Sequence, residues 1–269
     1  MASQRVLFFA SQVAAVAGKH PNQKQHAAFE AVWRRFHPAS LQAALDRAGR
    51  LSDAELLQRE LSSAPPEVSS ALRVLESQPD REPERVKADL AALPQQCSPM
   101  LREHAQQVAF GGYGTSREGR ALDLLTERHG VQTSPLGGMF YSAHPDGSWM
   151  VGGRIDALAE DGGVVEVKCR MTAIRPSPPA YDLIQLQTYL HIHASAPQGY
   201  LFEVLHSPDG PMTHLTTLQR DEAAWQDLER ALDGVAALVR RCAGEGALAD
   251  AYVASKQKTR WLRRAMQQE

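Results

Sequence analysis

Two short segments of this chain carry the residue types of a metal-dependent hydrolytic site. The first ends at Asp156, and the second, after a glycine-containing turn, carries Glu166 and Lys168 in a Glu-x-Lys pattern. Carboxylates hold divalent cations, and phosphodiester hydrolysis also needs a positive charge near the attacking water. An aspartate on one strand and Glu-x-Lys on the next would supply both, provided that the three side chains converge.

The turn between the two segments decides whether Asp156 lies on the same face as Glu166 and Lys168. These last two share one face of a predicted strand, because side chains alternate between the two faces. A two-residue turn would point Asp156 away from them. A three-residue loop at 161–163 would pair residue 156 with 168 and place all three on one face. We predict this loop, or a bulge with the same result, since glycine at the left-handed position of such a loop is common.

Glu118 is a candidate third carboxylate. It lies near the start of a helix predicted from Thr115 to His129, on the same face as the apolar residues three, four and seven positions after it. An acidic side chain on an apolar face needs a partner, which a metal ion would supply. Alternatively, Thr115 and Glu118 form a capping box that starts the helix, and the sequence leaves both interpretations open.

Gln185 and Tyr189 lie on a helix predicted from residue 180 to 193. They are four positions apart and are therefore neighbours on one helix face. A glutamine beside a metal site can orient water or hold a phosphate. Solvent exposure is the alternative both for Gln185 and for the strand face that carries Glu166 and Lys168.

Three segments that differ in sequence pattern are predicted to position these residues. Residues 1–110 are mostly helical, and they start with a buried strand or turn that leads into a short helix capped by Ser11. A helix break at Gly111–Gly114 opens the stretch 111–220, and two helices close the chain in residues 221–269. Further elements are an exposed connector at 78–84, strands at 138–142, 149–159 and 164–169, and a hairpin around Pro208. This order predicts an α+β fold with a mixed central sheet flanked by helices and a helical N-terminal region in the same unit.

The composition narrows the class of protein. The chain has 269 residues, of which 43% are apolar and 22% charged, as in an ordinary globular protein. A net charge of −2 excludes a global basic field, so contacts with nucleic acid must come from local patches. Cys97, Cys169 and Cys242 are too widely spaced for a disulfide framework or a cysteine-rich metal site. No run approaches the length of a membrane span, so we expect a soluble protein of the cytoplasm or nucleus that binds no membrane.

Taken together, these residues resemble the motifs of the PD-(D/E)XK nuclease superfamily. Within it they are most similar to the lambda-exonuclease or YqaJ-type enzymes and their RecB-like relatives. Glu118 resembles the acid that the family carries on a helix, Asp156 and Glu166 resemble its metal carboxylates, and Lys168 resembles its catalytic lysine. Residues 185–189 match both the Gln-x-Gln and the Gln-x-x-x-Tyr patterns of these groups. The usual Pro-Asp dipeptide is absent at Asp156, which is preceded by arginine and isoleucine.

The resemblance implies a restriction-endonuclease-like core and a site for one or two Mg²⁺ or Mn²⁺ ions, cations that prefer hard oxygen ligands. The implied ligands are Glu118, Asp156, Glu166 and the backbone carbonyl of Val167. Lys168 would position or deprotonate the attacking water, and partial desolvation would lower its pKa. Gln185 would orient the scissile phosphate or the lysine.

The implied activity is that of a metal-dependent DNA exonuclease, 5′→3′ on double-stranded ends, in recombination, repair or replication. Ser11 matches the serine that contacts the 5′ phosphate in lambda-type enzymes, and Tyr189, Arg170 and Arg175 are further candidate DNA contacts. The two arginines have an ordinary solvated alternative. Implied partners are DNA ends, a single-strand annealing or binding protein, and further copies of the chain in a homo-oligomer. The alternatives are an endonuclease of a repair, restriction or mobile-element system, and a non-catalytic binding module with the same fold.

Overall fold

The computed structural model describes residues 4–78, 81–207 and 209–267, which form an α+β fold. The N-terminal part contains β1 (Val6–Phe9), α1 (Ala10–Val16), α2 (Gln25–Phe36), α3 (Pro38–Arg47), α4 (Asp53–Ser63), α5 (Pro66–Ser77), α6 (Pro83–Ala91) and α7 (Pro99–His129). The middle contains β2 (Thr133–Pro135), β3 (Phe140–Ala143), β4 (Trp149–Gly153), β5 (Ala157–Ala159), β6 (Val164–Arg170), α8 (Ala180–Ile192), β7 (Gln198–Leu205) and β8 (Met212–Gln219). The chain continues with α9 (Glu222–Gly244), α10 (Gly246–Ala254) and α11 (Lys258–Met266).

The strands form two sheets that meet where the candidate site lies. In the larger sheet the order is β2-β5-β6-β7-β8, with β6 and β7 parallel and the other neighbours antiparallel. The smaller sheet has the order β1-β4-β3, with β1 parallel to β4. The single strand predicted at 149–159 is therefore wrong, because the chain leaves one sheet at Gly153 and joins the other at Ala157. Arg154 and Asp156 lie in this junction.

Helices α7 and α8 cover opposite faces of the larger sheet. Val165 and Val167 of β6 pack in one hydrophobic cluster with Ala121 and Leu125 of α7. Val164, on the other face, packs with Leu186 and Leu190 of α8. The mixed central sheet flanked by helices, predicted as a restriction-endonuclease-like core, is confirmed. Because Glu166 and Lys168 share the face of Val164, they point toward α8.

Helix α7 is continuous for 31 residues, so the break predicted at Gly111–Gly114 is wrong. Each glycine inside a helix costs about 1 kcal/mol relative to alanine. Packing offsets this cost, since Ala109 and Tyr113 are buried in a cluster that also contains residues of α5 and α6. The helix ends at a left-handed Gly130, as predicted. Glu118 therefore lies in a helix interior, and the capping-box interpretation is excluded.

The remaining helices form two groups around the sheets. Helices α1–α3 pack with α9–α11 in a cluster built around Trp33, Trp149 and Tyr252. Helices α4–α6 pack against the first half of α7, and a capping box formed by Ser52 and Glu55 starts α4. The boundary predicted at residue 110 falls inside α7, and α6 begins inside the predicted connector 78–84, of which residues 79 and 80 lie outside the described residues. Pro208, predicted in the β7–β8 turn, lies outside them as well. None of the described helices is both long and apolar enough to cross a lipid bilayer.

Candidate active site

The β5–β6 hairpin places Asp156 on the same face as Glu166 and Lys168. Ala157 pairs with Val165, and the turn is a three-residue loop at 160–162 in which Gly162 has a φ of +81°. The loop has the predicted type but begins one residue earlier, so residue 156 continues the register opposite 166 and the predicted pairing with 168 is wrong. A shift of two positions preserves the face of every side chain.

Glu166, Lys168 and Gln185 are joined by short hydrogen bonds. One carboxylate oxygen of Glu166, Oε1, accepts from Lys168 Nζ at 2.6 Å and from Gln185 Nε2 at 2.8 Å. Lys168 Nζ also donates to Gln185 Oε1 at 3.0 Å. Asp156 Oδ2 accepts from the backbone N–H of Val167 at 2.8 Å, which fixes this carboxylate beside β6. Gln185 is therefore not a solvated side chain, because its amide holds the lysine against the glutamate.

Gly153 allows α8 to approach the sheet junction. A Cβ atom at this position would lie 2.4 Å from Cε1 of Tyr189, well inside van der Waals contact. The tyrosine ring thus occupies the space that any larger residue at 153 would need. Its hydroxyl accepts from Gln185 Nε2 at 3.0 Å, as their helical spacing predicts.

Glu118 reaches the same cleft from α7, but its carboxylate is paired with Arg154. Arg154 Nη2 donates to both carboxylate oxygens, at 3.0 and 3.2 Å. In the part of the chain that the structure describes, no three His, Cys, Asp or Glu side chains come together closely enough to form a ready metal site. The convergence of three carboxylates is therefore incomplete, because arginine rather than Asp156 and Glu166 faces Glu118.

A cleft of about 750 Å³ contains most of the predicted site residues. Its walls include Ser11, Glu118, Asp156, Glu166, Val167, Lys168, Gln185 and Tyr189. Ser11 lies within the first turn of α1 and does not cap it, since β1 continues directly into the helix and Phe9 takes the capping position. Arg175 is exposed in the segment between β6 and α8 and does not line the cleft.

Arg170 also lies outside the cleft, in a charge network behind it. Its guanidinium donates to Asp182 at 2.6 Å and to Glu203 at 2.8 Å. Both acids are almost fully buried, and Asp182 lies 3.8 Å from Lys168 Nζ. The guanidinium thus faces buried acids and not the cleft, so its position lends no support to the predicted phosphate contact. The sequence held one signal of this network: Asp182 precedes Gln185 by three positions and so shares its helix face.

No protein-family model matches this chain, and no curated protein is significantly similar to it. Similar solved structures include that of SSO0001, at 19% identity over 70% of this chain and 86% of that chain, with a TM-score of 0.36. They also include LHK-Exo, an alkaline exonuclease from Laribacter hongkongensis, at 16% identity over 73% of this chain and 98% of that chain, with a TM-score of 0.38. LHK-Exo in complex with dAMP matches at 18% identity over 67% and 96%, with a TM-score of 0.39. Sequence identities and TM-scores this low do not allow an activity to be assigned to this chain. Its function must therefore be inferred from its own residues.

Burial dominates the electrostatics of the cleft. It raises the pKa of Glu166 to about 8, against the opposing charge of Lys168, and the charge of Asp156 raises it further. Burial also raises the pKa of Asp156 and of Glu118. Desolvation thus favours the neutral form of each of these carboxyl groups, and the proximity of other acids adds to this effect at Glu118 and Glu166.

The pKa of Lys168 shifts in the opposite direction from the one predicted. Burial disfavours its charged form, but the carboxylates of Glu166 and Asp182, together with the more distant Asp156, outweigh this, so its pKa is raised. The predicted lowering of this pKa is wrong, because the surrounding acids outweigh the effect of desolvation. The positive charge of Lys168 is therefore stabilised wherever these acids are ionised.

The cleft residues fit a divalent cation. Oε2 of Glu166 is buried, and no hydrogen-bond donor among the described residues reaches it. A buried carboxylate oxygen without a partner is costly, and a bound cation would supply that partner. Asp156 and Glu166 offer hard oxygen atoms, which suit Mg²⁺ or Mn²⁺ better than zinc.

Proposed function

We propose that this protein is a metal-dependent deoxyribonuclease that acts as an exonuclease on DNA ends in the 5′→3′ direction. One observation carries the proposal: a single cleft is lined by Asp156, the buried Glu166 and Lys168. Two acids that can hold a cation, next to an ammonium group, are the groups that hydrolysis of a phosphodiester requires. Recombination, repair or replication is the proposed setting.

Six residues that line the cleft have proposed roles in this reaction. Asp156, Glu166 and the backbone carbonyl of Val167 would hold Mg²⁺ or Mn²⁺, and Glu118 would join them after leaving Arg154. When bound, the cation activates water and stabilises charge on the phosphate. Lys168 would position the attacking water and offset the charge that develops on the phosphate, and its ammonium group is already held beside Glu166. Gln185 keeps the ammonium group in place.

The shape of the cleft favours a strand end as substrate. Its volume of about 750 Å³ lies within the roughly 300–1,000 Å³ of small-ligand pockets, which suits the end of one strand. Phe110 and Met139 line the cleft and are 47% and 42% exposed, and exposed apolar side chains provide surfaces for unpaired bases. Ser11 is the proposed contact for the terminal phosphate, and Tyr189 and the exposed Arg175 are proposed DNA contacts. A single-strand annealing or binding protein and a homo-oligomer are proposed partners.

Digestion of end-labelled DNA tests the proposal. With Mg²⁺ or Mn²⁺, we expect linear duplex to lose nucleotides from its 5′ ends, circular duplex to remain intact, and EDTA to stop the reaction. The variant Asp156→Asn, purified in parallel, should be inactive and thus exclude a contaminating nuclease. Cleavage of circles would assign an endonuclease instead. Binding of DNA without cleavage of duplex or single strands, with either cation, would overturn the nuclease assignment.

The affinity of the protein for Mg²⁺ should rise with pH. Because the pKa of Glu166 is raised to about 8, this carboxyl holds a proton below that pH, and a cation must displace it. We expect release of about one proton per ion at pH 7, less above pH 8, and an affinity that rises about tenfold per pH unit before levelling off. Isothermal titration in two buffers of different ionisation enthalpy measures the proton count. Glu166→Gln should abolish the release, and a pH-independent affinity between pH 6 and 8 would contradict the assignment.

A further inference from the structure

Arg154 is the more exposed of two cationic side chains in the cleft. Among the described residues that line it, Arg154 and Lys168 are the cationic ones. Lys168 is held by Glu166 and Gln185, and its side chain is 23% exposed. Arg154 has a 52% exposed side chain, lies in the junction between β4 and β5, and contacts Glu118. An ion pair this exposed is weak and opens readily.

The positive charge of Arg154 acts on the same acids that would bind a divalent cation. It lowers the pKa of both Glu118 and Asp156, against the burial that raises them. A divalent cation bound by these acids would provide the same stabilisation and would compete with the guanidinium for Glu118. Once released, a guanidinium in this cleft lies near the position that a phosphate beside Lys168 would take, and its planar fork suits phosphate oxygens.

We propose that Arg154 is an exchangeable counter-ion. It pairs with Glu118 in the metal-free protein and turns to a DNA phosphate when Glu118 becomes a cation ligand. This inference rests on the proposed nuclease function and adds to it a residue that couples cation binding to DNA binding. Arg154 thereby holds DNA affinity low until the cation is present.

The exchange predicts effects of opposite sign on two ligands. Arg154→Ala removes a competitor for Glu118, so Mn²⁺ should bind about two- to fivefold more tightly in the absence of DNA. The same change removes a charged phosphate contact, so DNA should bind at least about tenfold more weakly with Ca²⁺ present. Arg154→Lys should restore part of the DNA affinity. A purely structural ion pair predicts no loss of DNA affinity, because removal of the positive charge then favours Mn²⁺ only through space.

Two binding measurements test the inference without any cleavage assay. Mn²⁺ affinity is measured by electron paramagnetic resonance, and DNA affinity by fluorescence anisotropy of a labelled end with Ca²⁺ or with EDTA. Arg47→Ala is the matched control, because Arg47 is 50% exposed and pairs with Asp250 on helix α10 outside the cleft. It should leave both affinities unchanged.

The variant Glu118→Gln provides a second test, because it frees Arg154 without a cation. In EDTA it should bind DNA more tightly than the unaltered protein, and adding Arg154→Ala should cancel the gain. Weaker or unchanged Mn²⁺ binding by Arg154→Ala, or a gain in EDTA that persists in the double variant, would overturn the exchange. If the unaltered protein binds Mn²⁺ and degrades DNA, such results refute the exchange alone. If it neither binds Mn²⁺ nor cleaves DNA, the proposed function fails first and the exchange with it.

Discussion

Lys168→Ala should lower the rate of DNA hydrolysis by about 10²–10³-fold and leave DNA affinity nearly unchanged. Removal of a preorganised donor to a developing negative charge has effects of this size in other enzymes. The ammonium group is preorganised here, because Glu166 and Gln185 fix it from two sides and the surrounding carboxylates keep it charged. Single-turnover cleavage with saturating enzyme measures the chemical step, and anisotropy measures binding.

Two further variants separate charge from position. Lys168→Arg keeps the charge but cannot reproduce the short contact of a single nitrogen with Glu166, so its rate should lie between those of the unaltered and alanine proteins. Lys87→Ala is the matched control, since Lys87 pairs with Glu84 on helix α6 and does not line the cleft. Cleavage by Lys168→Ala within tenfold of the normal rate would refute the role of the lysine.

Arg170→Met should destabilise the protein by about 3–5 kcal/mol, the usual cost of removing one partner from a buried charge network. Glu203 is fully buried and Asp182 is 3% exposed, and Arg170 donates to both. Without the guanidinium, two desolvated carboxylates lose their shared donor, and Lys168 lies 3.8 Å from Asp182. The midpoint of thermal unfolding should fall by about 6–20 °C.

Neutralising the acids should reverse part of this loss. The triple variant Arg170→Met, Glu203→Gln, Asp182→Asn removes the unpaired charges, so its unfolding midpoint should lie above that of Arg170→Met alone. Arg47→Met breaks an exposed pair and should leave the unfolding midpoint nearly unchanged. An unfolding midpoint for Arg170→Met equal to that of Arg47→Met would show that the network contributes nothing.

Local patterns predicted the elements that carry the site. The alternation in β6 placed Glu166 and Lys168 on one face, and helical spacing brought Gln185 to Tyr189. The hairpin loop was predicted by type but not by position, because two registers that differ by two residues give the same pattern of faces. The break in α7 was predicted from the local cost of glycine, which tertiary packing of Tyr113 and its neighbours outweighs.

Pairings between distant residues could not be read from the sequence. Glu118 and Arg154 are 36 positions apart, and nothing in the spacing of either indicates the other. The network of Arg170, Asp182 and Glu203 depends on the parallel pairing of β6 with β7 and on the position of α8. The pKa of Lys168 was predicted with the wrong sign for the same reason, since the net shift depends on how many acids surround the ammonium group.

Because Gly153 lies so close to the ring of Tyr189, substitutions at these two positions constrain each other during evolution. Any larger side chain at 153 collides with the ring, and loss of the ring removes the hydroxyl that steadies Gln185. Neither position can therefore drift alone during evolution. Homologues that retain the cleft must keep both residues or change both together. Paired variation at positions 153 and 189 would therefore identify homologues in which the packing of the cleft has changed.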